Sequence, residues 1–236
     1  MLTLTVIVPT LWKPSEFPDY INSVADLSIV KEIIIIDNNH KDSYPIKHPK
    51  VRVIVQAKNI YVNPAWNLGA RLASGDILCF LNDDLIARHE VYSYVTQLFE
   101  EDSLGEIGLV GLDWIHAIGE LGCRKIPERN SAYFGCLLFM RTCDYHPIPE
   151  ILKIWWGDDF LMLRCLLKNK KLLALSGYAL TKQEGSQSIR DDRKSLTPLM
   201  ERDSFLWSKV VRPLLYLWYR PALGLEIYLK KIFRLK

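Results

Sequence analysis

The chain has 236 residues, 49% of them apolar, and a formal net charge of +3. That length suits one large domain or a domain with an appendage, and the apolar content excludes wholesale disorder. The small net charge gives no reason to expect nucleic acid as a partner. Five scattered cysteines without a C-x-x-C pair exclude a disulfide frame or zinc site and suit free thiols in a reducing cytosol.

The N-terminal MLTLTVIVPT has no basic stretch or cleavage site, so it reads as a strand rather than a signal peptide. The first strand is expected over 2–8, stopped by Pro9. Phe17, Tyr20, Ile21, Val24 and Leu27 recur at helical spacing. The continuous apolar run at 77–81 and the apolar-rich segments 32–36 and 51–55 predict buried strands. A helix over 64–73 would start with Asn63 as cap and Pro64 in first position. Further helices are expected over 86–101 and 157–169, with strands over 107–110, 132–140 and 171–175. No apolar stretch reaches about 18 residues, so no helix should span a membrane. The alternation predicts an α/β fold, a mostly parallel central sheet flanked by helices. Neither G-x-G-x-x-G at a helix start nor G-x-x-x-x-G-K-[ST] occurs, which disfavours a dinucleotide fold and excludes a P-loop.

Three of these strands end in polar residues: Pro9-Thr10, Asp37-Asn38 and Asn82-Asp83-Asp84. Parallel strands deliver their carboxyl ends to one side, where open α/β sheets bind ligands. Adjacent carboxylates repel, and a hard divalent cation, Mg²⁺ or Mn²⁺, relieves them. A polar turn would account for the same residues without any ligand.

The chain resembles the inverting, nucleotide-sugar-dependent glycosyltransferases of family 2, with the GT-A fold. The resemblance rests on V-I-V-P-T (6–10), I-I-I-I-D-N-N (33–39), N-I-Y-V-N-P-A-W-N-L-G-A (59–70), S-G-D-I-L-C-F-L-N-D-D (74–84) and W-G-D-D-F-L-M-L-R (156–164), in the family's order, over about residues 2–190. It implies a GT-A domain over 1–198. Asp37 would bond the nucleotide base, although a helix N-cap or Asx-turn would also account for an Asp there. Pro9, Thr10, Asn59 and Asn67 would flank the donor, while Asn67 could instead satisfy backbone groups. Asn82 and Asp83 would contact ribose or sugar, and Asp84 would bind the metal, Mn²⁺ or Mg²⁺. Asp158, with Asp159 second, would be the general base toward an acceptor hydroxyl. A pair of acids at a helix start also simply complements the helix dipole. Trp155 and Trp156 offer one ring to an acceptor sugar and one to the core.

One departure stands out. Where the family often has a metal-binding His, this chain has Gln183, followed by Glu184. Gln can offer a carbonyl oxygen, a weaker neutral ligand.

Residues 201–236 hold eight Lys/Arg against three acids, +5, leaving −2 for residues 1–200. Aromatic and aliphatic residues interleave with the bases from 205 on, and Pro213 and Pro221 are expected to break the segment. A basic amphipathic helical segment over 199–236 fits peripheral attachment at the cytoplasmic face of a membrane, and a terminal helix packed on the domain fits the pattern too. The expected activity is metal-dependent, inverting transfer from a nucleotide-diphospho-sugar, UDP-linked, to a glycan or lipid-linked glycan, as in polysaccharide or lipopolysaccharide biosynthesis. Gln183 motivates the alternative, a weak or inactive nucleotide- or glycan-binding module. A sugar-nucleotide pyrophosphorylase would need a glycine-rich loop near the N-terminus, and residues 9–16 contain no glycine.

Overall fold

In the computed structural model, the structure describes residues 1–40, 44–126, 135–179 and 187–219. Gln183, Glu184 and the tail beyond 219 lie outside them.

Eight strands form one sheet: β1 (Leu4–Thr10), β2 (Val30–Asp37), β3 (Val51–Val55), β4 (Ile77–Leu81), β5 (Ile107–Leu112), β6 (Gly122–Lys125), β7 (Leu137–Arg141) and β8 (Lys171–Ser176). Their spatial order is β3-β2-β1-β4-β7-β5-β8-β6. β1 pairs in parallel with β2 and β4, and β2 with β3. β7 runs antiparallel between β4 and β5, and β6 antiparallel on β8. The expected α/β fold is therefore present, mostly parallel and joined by helices.

The helices are α1 (Phe17–Ala25), α2 (Val62–Leu72), α3 (Glu90–Glu101), α4 (Gly157–Leu167), α5 (Gln187–Leu206) and α6 (Arg212–Tyr219). On β1, Leu4, Val6 and Val8 pack with α1 and α3, while Ile7 packs with Trp66 of α2 and Phe160 of α4. This alternation, covered on both faces, explains why β1 is apolar at nearly every position.

Several boundaries differ from the sequence expectation. β1 continues through Pro9 to Thr10 because its ladder with β4 ends at Ile7, leaving β2 as its only ladder partner there; proline is tolerated on such a one-sided stretch. α2 starts at Val62, so Asn63 is not its cap and Pro64 is not its first residue. Asn63 is instead drawn in by its N–H to Lys153 O (3.0 Å). α3 starts at Glu90 rather than 86, since the N–H groups of Ala87 and Arg88 go to the Tyr20 hydroxyl and Tyr178 O. β6 and the part of α5 ahead of residue 199 were not expected. The helix at the C-terminus is not broken at Pro213: α5 passes into a π-helical turn over Trp207–Val211 and on into α6. A π turn re-routes the backbone bonds that a proline would interrupt. The five cysteines are free. Among the described residues, no helix is long and apolar enough to cross a membrane.

Candidate active site

A cleft of about 680 Å³ opens where the parallel strands end. Pro9, Thr10 and Leu11 reach it from β1, Asn38 from β2, and Asn82 and Asp83 from β4. β7 enters backwards, so its beginning lies at this same edge, with Leu137 opposite Leu81. That places Gly135 and Cys136 in the wall, fastened by Asn82 N–H to Cys136 O at 2.8 Å. The far wall is the loop ahead of α4, with Trp155, Trp156, Asp158 and Asp159, and the start of α2.

Asp83 is buried, and its Oδ2 accepts from the Thr10 hydroxyl (2.7 Å) and Leu11 N–H (3.3 Å). Burial pushes its carboxyl up to about 6; the Thr10 bond opposes this and the Asp84 charge adds to it. Asp83 thus ties β4 to β1 across the floor. Asp84, half-buried, follows it. Burial, then the charges of Asp84 and Asp158, push the Cys136 thiol far above its ordinary value. The thiol stays protonated, and it marks the place where the acids of β4 and of α4 approach one another.

Asp158 and Asp159 occupy the first turn of α4, directly after Trp156 in left-handed conformation (φ 68°, ψ 10°). Burial raises both carboxyls. The Asp158 charge raises Asp159 further, and Arg212 of α6 opposes that rise. Two glycines make the geometry possible. A Cβ on Gly157 would stand 2.1 Å from Asn63 Oδ1, so α2 and α4 could not approach as they do. A Cβ on Gly135, at φ +135°, would stand 3.2 Å from Asp158 Oδ2.

Of the residues singled out in the sequence, Pro9, Thr10, Asn59, Asn82, Asp83, Trp155, Trp156, Asp158 and Asp159 line this one cleft. Asp37, Asn67 and Asp84 are outside its lining. Asp37 is fully buried and accepts from Asn39 N–H and the Tyr44 hydroxyl, each at 2.8 Å, an Asx-turn. Asn67 clamps a loop, accepting from Tyr145 hydroxyl (2.6 Å) and Ile148 N–H (2.8 Å) and donating to Ile148 O (2.8 Å). Of the two tryptophans, Trp156 stacks on Trp207 while Trp155 stays 39% exposed.

Sequence reasoning missed Asn63, Trp66 and Cys136. Asn63 Oδ1 and Trp66 Nε1 are buried without a partner among the described residues, an acceptor and a donor in the lining. Their signal in the sequence is only that of an ordinary amphipathic helix.

The chemistry of the donor set fits a divalent cation in one form. Among the described residues there is no group of three or more His, Cys, Asp or Glu side chains that could cage an ion. Asp84 beside Asp83 supplies hard oxygens, which suits an ion held by one or two carboxylates and completed by substrate phosphates.

Residues 5–111 match the model of the family "Glycosyl transferase family 2". No curated protein matches the chain. Among solved structures, TarS 1–349 of S. aureus is similar at 16% identity and TM-score 0.57, over 85% of this chain and 65% of that one. The same protein in complex with UDP-GlcNAc gives 16% and 0.55, over 85% and 66%. GalNAc-T7 with UDP, GalNAc and Mn²⁺ gives 15% and 0.56, over 79% and 45%. The chain thus spans less than two thirds of these structures. The family's model covers residues 5–111, a little under half of the chain, and the likeness to these solved structures shows that the chain shares their GT-A fold.

Proposed function

We propose that this chain is an inverting glycosyltransferase that moves a sugar from a UDP-linked donor to a hydroxyl of a glycan or lipid-linked glycan. The observation that carries the reading is the acid pair of α4 facing Asn82 and Asp83 across one cleft. UDP is favoured by the likeness to TarS, which is described in complex with UDP and with UDP-GlcNAc.

The acceptor hydroxyl gives its proton to a carboxylate oxygen of Asp158 while its oxygen attacks the anomeric carbon. The new C–O bond forms as the bond to the diphosphate oxygen breaks, and the diphosphate leaves with the electron pair. Attack from the opposite face inverts the anomeric centre. Asn82, Asn59 and Thr10 line the donor side, and Trp155 offers a partly exposed ring to the C–H face of a sugar. Asp84 would hold Mn²⁺ or Mg²⁺, which when bound offsets negative charge on the diphosphate. Asp37, Asn67 and Asp83 act in this reading by holding strand ends and loops in place.

The segment 199–236 is read as the membrane-facing part. Phe205, Val210, Leu214 and Trp218 form an exposed stripe, 60%, 36%, 58% and 82% exposed, beside the exposed bases Arg202, Lys209 and Arg212. The five-residue step from 205 to 210 crosses the π turn, which keeps the stripe on one face. Such a face suits an anionic bilayer surface.

The test is donor-dependent thermal stabilisation with and without Mn²⁺, followed by transfer assays. Asp158→Asn should lower transfer by about 10²–10⁴-fold with folding and donor stabilisation retained. Asp84→Ala should lose both transfer and the Mn²⁺-dependent part of the stabilisation. Near-normal transfer by both variants would refute the reading, and donor binding by the wild type without transfer would replace it by a binding module.

A further inference from the structure

Residues 153–156 carry Trp155 and Trp156 to the cleft and set where α4 begins, yet they form neither helix nor strand. Their backbone groups are satisfied from outside. Asp203 of α5 is fully buried, and its Oδ2 accepts from three consecutive N–H groups, Lys153 (2.9 Å), Ile154 (2.7 Å) and Trp155 (3.2 Å). From the opposite side Asn63 donates through Nδ2 to Trp155 O at 3.1 Å and through its own N–H to Lys153 O at 3.0 Å. The next residue is held too. Trp156 Nε1 donates to Ser204 Oγ at 2.9 Å, and its ring stacks on Trp207 at 5.8 Å and 11°.

Neither Asp203, Ser204 nor Trp207 lines the cleft. Three N–H groups converge on one oxygen only if the loop curls tightly around it, so the carboxylate dictates the loop's path. The other oxygen, Oδ1, is buried with no hydrogen-bond partner among the described residues. A buried unpaired carboxylate oxygen costs stability, and folds keep such costs where placement matters more than stability. Trp156 in the left-handed region is a second cost, met by the contacts from Ser204 and Trp207.

We propose that Asp203 is a positioning residue: from a position on α5 outside the cleft lining it fixes the loop 153–156, and through it the first turn of α4, so that Asp158 meets the acceptor hydroxyl at bonding distance. The role rests on the reading of Asp158 as general base. The helix at the C-terminus is then part of the catalytic apparatus and not only a tail.

The experiment compares wild type, Asp203→Ala, Asp203→Asn and Asp203→Glu in the full chain by steady-state kinetics with a UDP-sugar donor and by hydrogen exchange over residues 153–157. A shift of the base by about 1 Å is worth roughly 10²-fold, so Asp203→Ala should lose about that in kcat with donor KM within about threefold. Exchange of the 153–155 amides should accelerate at least about tenfold, since the bonds protecting them are gone. Asp203→Asn keeps an acceptor oxygen in place and should recover about tenfold or more of the lost kcat. Asp203→Glu, which displaces the carboxylate by one methylene, should lower kcat without raising KM; it decides the matter if the Ala variant does not fold. Wild-type kcat in the folded Ala or Glu variant, or an Asn variant no better than Ala, overturns the positioning role alone. A wild type that transfers no sugar from any UDP donor overturns the transferase reading and this role with it.

Discussion

At the scale of single residues, the acids of α4 make the sharpest claim. Burial raises Asp158 and Asp159 above the ordinary carboxylate range, so both hold their protons to higher pH than a solvated Asp. A general base acts only when deprotonated. Transfer should therefore be lost as pH falls, with the acid limb lying above the ordinary carboxylate value because burial raises the base. A rate profile from pH 4 to 9 with its acid limb at the ordinary carboxylate value would contradict this. Asp158 and Asp159 were legible because two adjacent acids before an apolar helical pattern are an unusual local signal. Asn63 and Asp203 were not, because nothing local marks an amide or carboxylate whose partners are backbone groups 92 and 50 positions away.

At the scale of elements, β1, β2 and β4 are locked together at their beginnings as well as at their carboxyl ends. Glu32 of β2 accepts from Ser74 N–H and hydroxyl, both at 2.7 Å, and from the Thr5 hydroxyl at 3.1 Å, with Arg52 at 3.3 Å. Burial pushes its carboxyl up, but these bonds outweigh it and leave the group below its ordinary value. A depressed folded value means that the stabilisation is present above the unfolded value, about 4.3, and lost as pH falls through the folded one. Glu32→Gln should thus cost about 1–2 kcal/mol at pH 7, from weakened bonds to a charged group. The difference from wild type should shrink toward pH 3 in denaturant titrations, and a cost independent of pH would argue against a role for the charge. The strands other than β6 were legible from short apolar or apolar-rich runs. Their ends were not, since Pro9 stays in β1 only because of where the β4 ladder stops, and the start of α3 is fixed by the Tyr20 hydroxyl and Tyr178 O.

At the scale of the whole molecule, α5, the π turn and α6 face two ways. One side braces the cleft through Asp203, Trp207 and Arg212, and the other carries the exposed stripe ending in Trp218. Point substitution separates these duties, because truncation would remove both. Leu214→Ser with Trp218→Ser should reduce co-sedimentation with anionic vesicles several-fold while leaving the fold intact, since both side chains are mostly exposed. Binding equal to wild type would show that this face meets no bilayer. The sequence by itself determined every strand but β6, the polar strand ends and the acid pair, because apolar runs and their terminators are local patterns. Only the tertiary structure decided that Asp37 and Asn67 close turns and loops, that β7 enters reversed to bring Cys136 to the edge, and that Asp203 of α5 holds the loop ahead of α4. Those outcomes depend on which distant backbone groups need partners, and that is settled only when the elements pack.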